Sequence, residues 1–210
     1  MTEYNKIDTV FERNTEGTKK LIEGKFRSKE VEYLKDNMWY FTEKFDGTNI
    51  RIHWDGHKVE FGGRTDRAQI PSHLVNVLND MFGGTVNKEL FEQKFGQNDV
   101  ILFGEGYGPK IQKGEDYRSD VSFILFDVMI GNMYLNRNAV EDIAKCFNID
   151  CVPIIMVGTI DEAVDFVKTK PNSTMGTAKM EGLVGKPMVE LNSKTGKRMI
   201  VKIKVCDFEI

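Results

Sequence analysis

From Met38 onward the chain is built from short runs of aromatic and β-branched residues, each closed by turn residues. That pattern constrains the fold more than any other feature of the sequence. Trp39-Tyr40-Phe41 and Ile50-Arg51-Ile52-His53-Trp54 suit a pleated, half-buried surface. Asp55-Gly56, lying between the second run and Lys58-Val59-Glu60-Phe61, predicts a tight antiparallel hairpin, because both residues tolerate positive φ. Val100-Ile101-Leu102-Phe103 and Val121-Ser122-Phe123-Ile124-Leu125-Phe126 lack helical periodicity and are expected as buried strands. The tail returns to strand at Glu181-Gly182-Leu183-Val184, at Met188-Val189-Glu190-Leu191 and at residues 198–205, with a turn at Ser193-Lys194-Thr195-Gly196.

Helices are fewer. After Pro71, which fits a first helical turn, Leu74, Leu78 and Met81 mark an apolar face that ends at Gly83-Gly84. Thr159-Ile160-Asp161-Glu162 carries a capping box opening a helix whose Ala163, Phe166 and Val167 share a face, and Pro171 stops it. Residues 2–37 read as helix and loop, with Val31, Leu34 and Met38 near helical spacing after a candidate cap, Ser28. Strands that outnumber helices and pair locally predict an α+β chain with antiparallel sheets rather than a doubly wound parallel one. Residues 1–37 are expected to belong to the same domain as a core spanning residues 38–210.

With 210 residues, 40% of them hydrophobic, the chain can bury one sizeable core or two small ones. Cys146, Cys151 and Cys206 have neither the even count nor the spacing of a disulfide framework or zinc site, which predicts a reducing compartment. No apolar run approaches the roughly 18 residues that span a bilayer, and the polar start does not look like a signal peptide, so cytoplasmic residence and no membrane partner are expected. A net charge of −3 gives no global attraction to nucleic acid, so any such contact must use a local basic patch.

Glu43-Lys44-Phe45-Asp46-Gly47-Thr48-Asn49 falls between two predicted strands and places Lys44 at a strand end. An isolated Lys-x-Asp-Gly is ordinarily a solvated turn. As a nucleophile, Lys44 must lose a proton normally held with a pKa of about 10.4, and Lys202 and Lys204 are candidates to supply the neighbouring positive charge. In Phe103-Gly104-Glu105-Gly106-Tyr107-Gly108-Pro109 the glycines would let a ligand approach the backbone while Glu105 accepts hydrogen bonds from hydroxyls; the bland alternative is a glycine-rich loop. Phe126 is a candidate for stacking on a base, although the core is its commoner home. Glu181 opens an apolar strand, where a carboxylate is costly unless it meets a cation. Lys202-Ile203-Lys204 puts two ammonium groups on one strand face, which suits either edge protection or the neutralisation of phosphates.

Taken in order, Lys44-Phe45-Asp46-Gly47, Phe103-Gly104-Glu105-Gly106, Phe123-Ile124-Leu125-Phe126-Asp127, Glu181-Gly182-Leu183-Val184 and Lys202-Ile203-Lys204 resemble the motif series of the covalent nucleotidyltransferases. That superfamily includes DNA ligases, RNA ligases and mRNA capping enzymes. The resemblance covers roughly residues 39–205. Thr48-Asn49 after the glycine is most similar to phage RNA ligases that seal nicks in duplex RNA, and Arg64 falls where those enzymes place an arginine that helps the adenylate meet the polynucleotide end.

The resemblance implies an adenylation domain of antiparallel sheets flanked by helices, with the nucleotide in the cleft between sheets. It further implies that Lys44 is adenylylated by ATP and that Asp46 and Arg64 belong to the catalytic set. Glu43, Asn49 and Glu105 would bind nucleotide, the last two at the ribose, and Phe126 would stack on adenine. Glu181 would position Mg²⁺ or Mn²⁺, while Lys202 and Lys204 grip phosphates. The expected partners are ATP and RNA or DNA ends. The chain stops six residues after Lys204, where these ligases generally carry a further domain, which implies substrate engagement that is weaker or borrowed from a partner protein. The alternatives are a DNA nick-sealing ligase, a guanylyltransferase and a catalytically silent nucleic-acid-binding module on the same fold.

Overall fold

The computed structural model describes residues 1–16 and 19–208. In chain order, strands β1 (Asp8–Thr9), β2 (Phe11–Arg13) and β3 (Leu21–Phe26) precede helix α1 (Lys29–Tyr33). Then come β4 (Trp39–Lys44), β5 (Thr48–Trp54), β6 (Val59–Gly62), α2 (Ser72–Phe82), α3 (Gly84–Phe95), β7 (Val100–Tyr107) and β8 (Ser122–Ile130). The chain continues through β9 (Met133–Tyr134), α4 (Arg137–Cys146), β10 (Asp150–Cys151), β11 (Ile154–Gly158), α5 (Ile160–Lys168), β12 (Gly182–Pro187) and β13 (Val201–Lys204). This is a mixed α+β chain, as its alternating runs predict.

Two units share the chain. Unit 1 comprises Met1–Asn5 and Asp46–Val152, and unit 2 comprises Lys6–Phe45 and Pro153–Ile210. Unit 1 is built on the sheet β10-β8-β7-β5-β6, with β9 beside β8; its pairs are antiparallel except β10 with β8. Ile50, Ile52, Trp54, Val100, Leu102, Phe123, Leu125 and Val128 point to one face of that sheet and bury it against α2, α3 and α4 through Leu74, Leu78, Phe82, Phe91, Val140 and Ile143. The expected hairpin joins β5 to β6, but its turn residues are Gly56 (φ +92°) and His57. Asp55 instead accepts hydrogen bonds from the backbone N–H of His57 and of Lys58, so its side chain organises the turn from outside.

Unit 2 holds the sheet β1-β13-β12-β4-β11, antiparallel except for β1 with β13, and a β2–β3 pair. Trp39, Phe41, Leu183, Val201 and Ile203 form its core with Ile160, Ala163, Val164 and Val167 of α5. The capping box of α5 forms as the sequence predicts: the Thr159 hydroxyl accepts the Glu162 N–H, and Glu162 accepts the Thr159 N–H at 2.7 Å.

Two local expectations are corrected. Within residues 2–37 the described residues contain three strands, and the helix capped by Ser28 is the short α1. Met188-Val189-Glu190-Leu191 is not a strand: Met188 and Val189 are 55% and 70% exposed, and without burial or a continuous ladder an apolar run has nothing to hold it extended in a sheet. Helices α3 and α4 were not anticipated. Among the described residues, no helix is long and apolar enough to cross a membrane.

Candidate active site

In unit 2 the open face of the sheet concentrates charge. Leu183, on β12, is paired with Glu43 and Ile203 and points into the core, so the alternate positions Lys44, Gly182, Val184, Lys202 and Lys204 point the other way. Gly182 is the register partner of Lys44 on one side and of Lys204 on the other. A Cβ on Gly182 would lie 2.1 Å from the Ile203 carbonyl oxygen, so only glycine lets the three strands close at this level.

Glu181, just before Gly182, ties the flanking lysines together. Lys44 Nζ donates to Glu181 Oε2 at 2.6 Å, and Lys204 Nζ reaches Glu181 Oε1 at 2.9 Å. The side chains of Lys44, Glu181 and Lys204 are 25%, 16% and 28% exposed, enough for a ligand to reach them while water screens them only partly. Burial works against the charge on Lys204, but the hydrogen bond and charge of Glu181 outweigh it, and its pKa stands above the ordinary lysine value. Lys204 is therefore a fixed cation. Lys202 stands one pleat back on the same face, opposite Val184.

Glu43 faces away from Lys44 and is 1% exposed. Its carboxylate accepts from Ser173 Oγ at 2.5 Å and from Thr174 N and Oγ1 at 3.0 and 2.5 Å, which secures a buried charge. Those bonds fasten the segment that runs into Glu181, itself folded back by Ser173 N–H to Ala178 O and Met180 N–H to Pro171 O.

In unit 1 the sheet face opposite the helices carries Asn49, Glu105 and Phe126. Asn49 and Glu105 are direct cross-strand partners, and Glu105 pairs onward with Ile124. Among the described residues, Asn49 Oδ1 is buried without a hydrogen-bond partner, as a site for a hydroxyl-bearing ligand would leave it. Phe126 is half-buried at an irregularity in the β7–β8 ladder, where Phe103 pairs with Asp127 and Gly104 with Leu125. The glycines around Glu105 serve packing rather than ligand approach: a Cβ on Gly104 would strike the Phe123 ring and one on Gly106 would strike Leu74, on the helical side of the sheet.

Asp46 donates its backbone N–H to the Tyr117 hydroxyl oxygen at 3.2 Å. Arg64 is exposed on the loop after β6. Among the described residues, no group of three or more His, Cys, Asp or Glu side chains forms a ready metal cage.

The RNA ligase family model matches residues 37–204. The chain belongs to the RNA ligase family. No curated protein matches the chain. Among solved structures, a Naegleria gruberi RNA ligase with pyrophosphate is 19% identical at a TM-score of 0.62, with 83% of this chain and 51% of that one covered. A mutant of that organism's RNA ligase with AMP and manganese is 18% identical at 0.64, covering 84% and 52%. Another mutant, with ATP and manganese, is 18% identical at 0.62, covering 94% and 59%. These likenesses establish a shared fold. The chain spans about half the length of the solved structures it matches.

One residue beside the site was not singled out by the sequence. Arg51 is fully buried on the Asn49 face and donates to Gly63 O at 2.6 Å, Met1 O at 2.8 Å, Thr2 O at 3.3 Å and Asp66 Oδ1 at 2.9 Å. It fixes the loop that displays Arg64. The available signal was a cation alternating with Ile50 and Ile52 inside a strand, a position that must either be solvated or satisfied by distant acceptors.

Proposed function

We propose that the chain is an ATP-dependent RNA ligase that joins 5′-phosphate and 3′-hydroxyl ends through a lysyl-AMP at Lys44, with nicks in duplex RNA as its substrate. The observation that carries this reading is the Lys44–Glu181–Lys204 cluster built around Gly182. It offers a primary amine, a carboxylate and a permanent cation in one partly screened place. In the first step the neutral Lys44 amine attacks the α-phosphorus of ATP, an N–P bond forms, and the bond to the β-phosphate oxygen breaks to release pyrophosphate. In the second step an oxygen of the 5′-phosphate attacks the same phosphorus and Lys44 is regenerated. In the third the 3′-hydroxyl attacks the activated 5′-phosphate and AMP leaves.

Each step builds negative charge that fixed cations offset, which suits Lys204 and Lys202 to holding phosphates and leaves Lys44 to act as the nucleophile. Asn49 and Glu105 are assigned to the ribose, Phe126 to adenine and Arg64 to the polynucleotide end. Glu181 fits a Mg²⁺ or Mn²⁺ partner, since such ions take one or two carboxylates and draw their other ligands from phosphate and water. A bound ion there would add neutralising charge at the reacting phosphate. The Naegleria gruberi RNA ligases solved with ATP or AMP and manganese support the same co-substrate and metal class.

Incubation of the purified protein with labelled ATP and Mg²⁺, followed by a denaturing gel and intact mass, tests the proposal. An AMP adduct on the wild type and none on Lys44→Ala is the expected result. Absence of the adduct from wild-type protein free of prebound AMP overturns it. Matched nicked RNA, DNA and hybrid duplexes then separate RNA sealing from DNA sealing.

A further inference from the structure

We propose that Tyr4 is a positioning residue for Phe126, and that the first five residues serve as the back wall of the nucleoside face in unit 1. The inference rests on the assignment of Phe126 to adenine. Residues 1–5 belong to unit 1 although the forty that follow belong to unit 2, so the chain commits its first residues to a sheet whose own strands begin at Thr48. Each of the first four residues is used. Arg51 donates to the carbonyls of Met1 and Thr2, the Asp66 N–H donates to Glu3 Oε1 at 3.3 Å, and the Tyr4 hydroxyl donates to Asp127 Oδ2 at 2.8 Å.

The Tyr4 ring lies edge-on to Phe126 with centroids 5.0 Å apart, 5.0 Å from Phe103 and 6.1 Å from Tyr134. The register orders this face in rows: Asn49, Glu105 and Ile124, then Arg51, Phe103 and Asp127, then His53, Ile101 and Met129. Tyr134 pairs with Met129 in the third row. The contacts of Tyr4 thus run from Phe126 toward the second and third rows, away from the Asn49–Glu105 pair. Phe126 stands at a ladder irregularity, where the regular pleat does not dictate its direction. Tyr4 supplies what the ladder lacks: its ring abuts Phe126, and its hydroxyl pins the buried Asp127 next to it.

The test compares binding of ATP with binding of pyrophosphate, which has no base, by calorimetry on wild type, Tyr4→Phe and Tyr4→Ala. Tyr4→Ala is expected to weaken ATP by about three- to tenfold, the scale of a lost aromatic pair, with pyrophosphate unchanged. Tyr4→Phe, which keeps the ring and loses only the Asp127 bond, should fall between. In a Phe126→Ala background, Tyr4→Ala should have no further effect on ATP. Equal weakening of both ligands, or of neither, overturns the proposal. Wild-type protein that binds ATP yet forms no adduct refutes the ligase reading alone, and the ATP-to-pyrophosphate comparison still decides the role of Tyr4. Wild-type protein that binds no ATP refutes both.

Discussion

Lys44 and Lys204 sit on strands separated by β12, yet both are register partners of Gly182 and both pair with the carboxylate that precedes it. Two ammonium groups in one row of a sheet repel, and Glu181 is what lets them share the place.

Lys44→Ala and Lys44→Arg should both abolish the AMP adduct, since neither side chain offers an amine that can be deprotonated near neutral pH. Stability should change by no more than about 0.5 kcal/mol, because Lys204 still pairs with Glu181. Intact mass and a urea titration check the two halves of this statement.

Gly182→Ala should destabilise the protein by about 1–3 kcal/mol, through the clash of its Cβ with the Ile203 carbonyl. Adduct formation should fall with it, because the strands that present Lys44 and Lys204 must spread. A variant with unchanged unfolding midpoint and unchanged adduct yield would show that the strands tolerate a side chain there.

Glu43 separates two roles. With its oxygens held by Ser173 and Thr174, Glu43→Ala should cost about 1–3 kcal/mol and slow adenylylation, by loosening the segment that leads to Glu181. Glu43→Gln should recover much of both. If Glu43→Ala keeps its stability but loses ATP affinity, the side chain serves the nucleotide directly.

The charge on Lys204 has a defined pH range. Its folded-state pKa is raised above the ordinary 10.5, so its contribution to stability is complete below about pH 10.5 and is lost as pH rises through the folded value. The stability difference between wild type and Lys204→Met should therefore stay constant from pH 7 to 9 and shrink only at higher pH. Lys204→Arg should leave the pH profile of adenylylation unshifted across the neutral range.

Arg51→Lys should destabilise the protein by about 1–3 kcal/mol despite conserving charge, because one ammonium cannot reach acceptors from Met1, Thr2, Gly63 and Asp66 together. Nick sealing should suffer more than the initial adduct, since the loop bearing Arg64 loses its anchor. Single-turnover assays of each step resolve the difference.

What the sequence made legible was local. Aromatic and β-branched runs located β4 and β5, continuous apolar runs located β7 and β8, the Pro71-to-Gly83 stretch located α2, and Thr159 with Glu162 marked the start of α5. The pairing of Lys202 with Lys204 on one face followed from the pleat alone. What stayed hidden depends on distant partners. Arg51 and Tyr4 acquire meaning only through Met1, Gly63 and Asp127, and Gly104 and Gly106 only through Phe123 and Leu74 across the sheet. Helix α4 carries Val140, Ile143 and Ala144 on its buried face behind an Asn136 cap, a pattern legible in the sequence. Helix α3 has only Phe91 and Phe95 buried, too sparse a stripe to announce itself.

The interleaving of the units has a consequence for biosynthesis. Strand β4 leaves the ribosome early, but β11, β12 and β13 emerge only after the whole of unit 1 has been made. A nascent chain can therefore complete the sheet bearing Asn49 and Glu105 while Lys44 still lacks Glu181 and Lys204. Lys44 gains its partners only when translation has passed Lys204, so a prematurely released fragment lacks the assembled cluster.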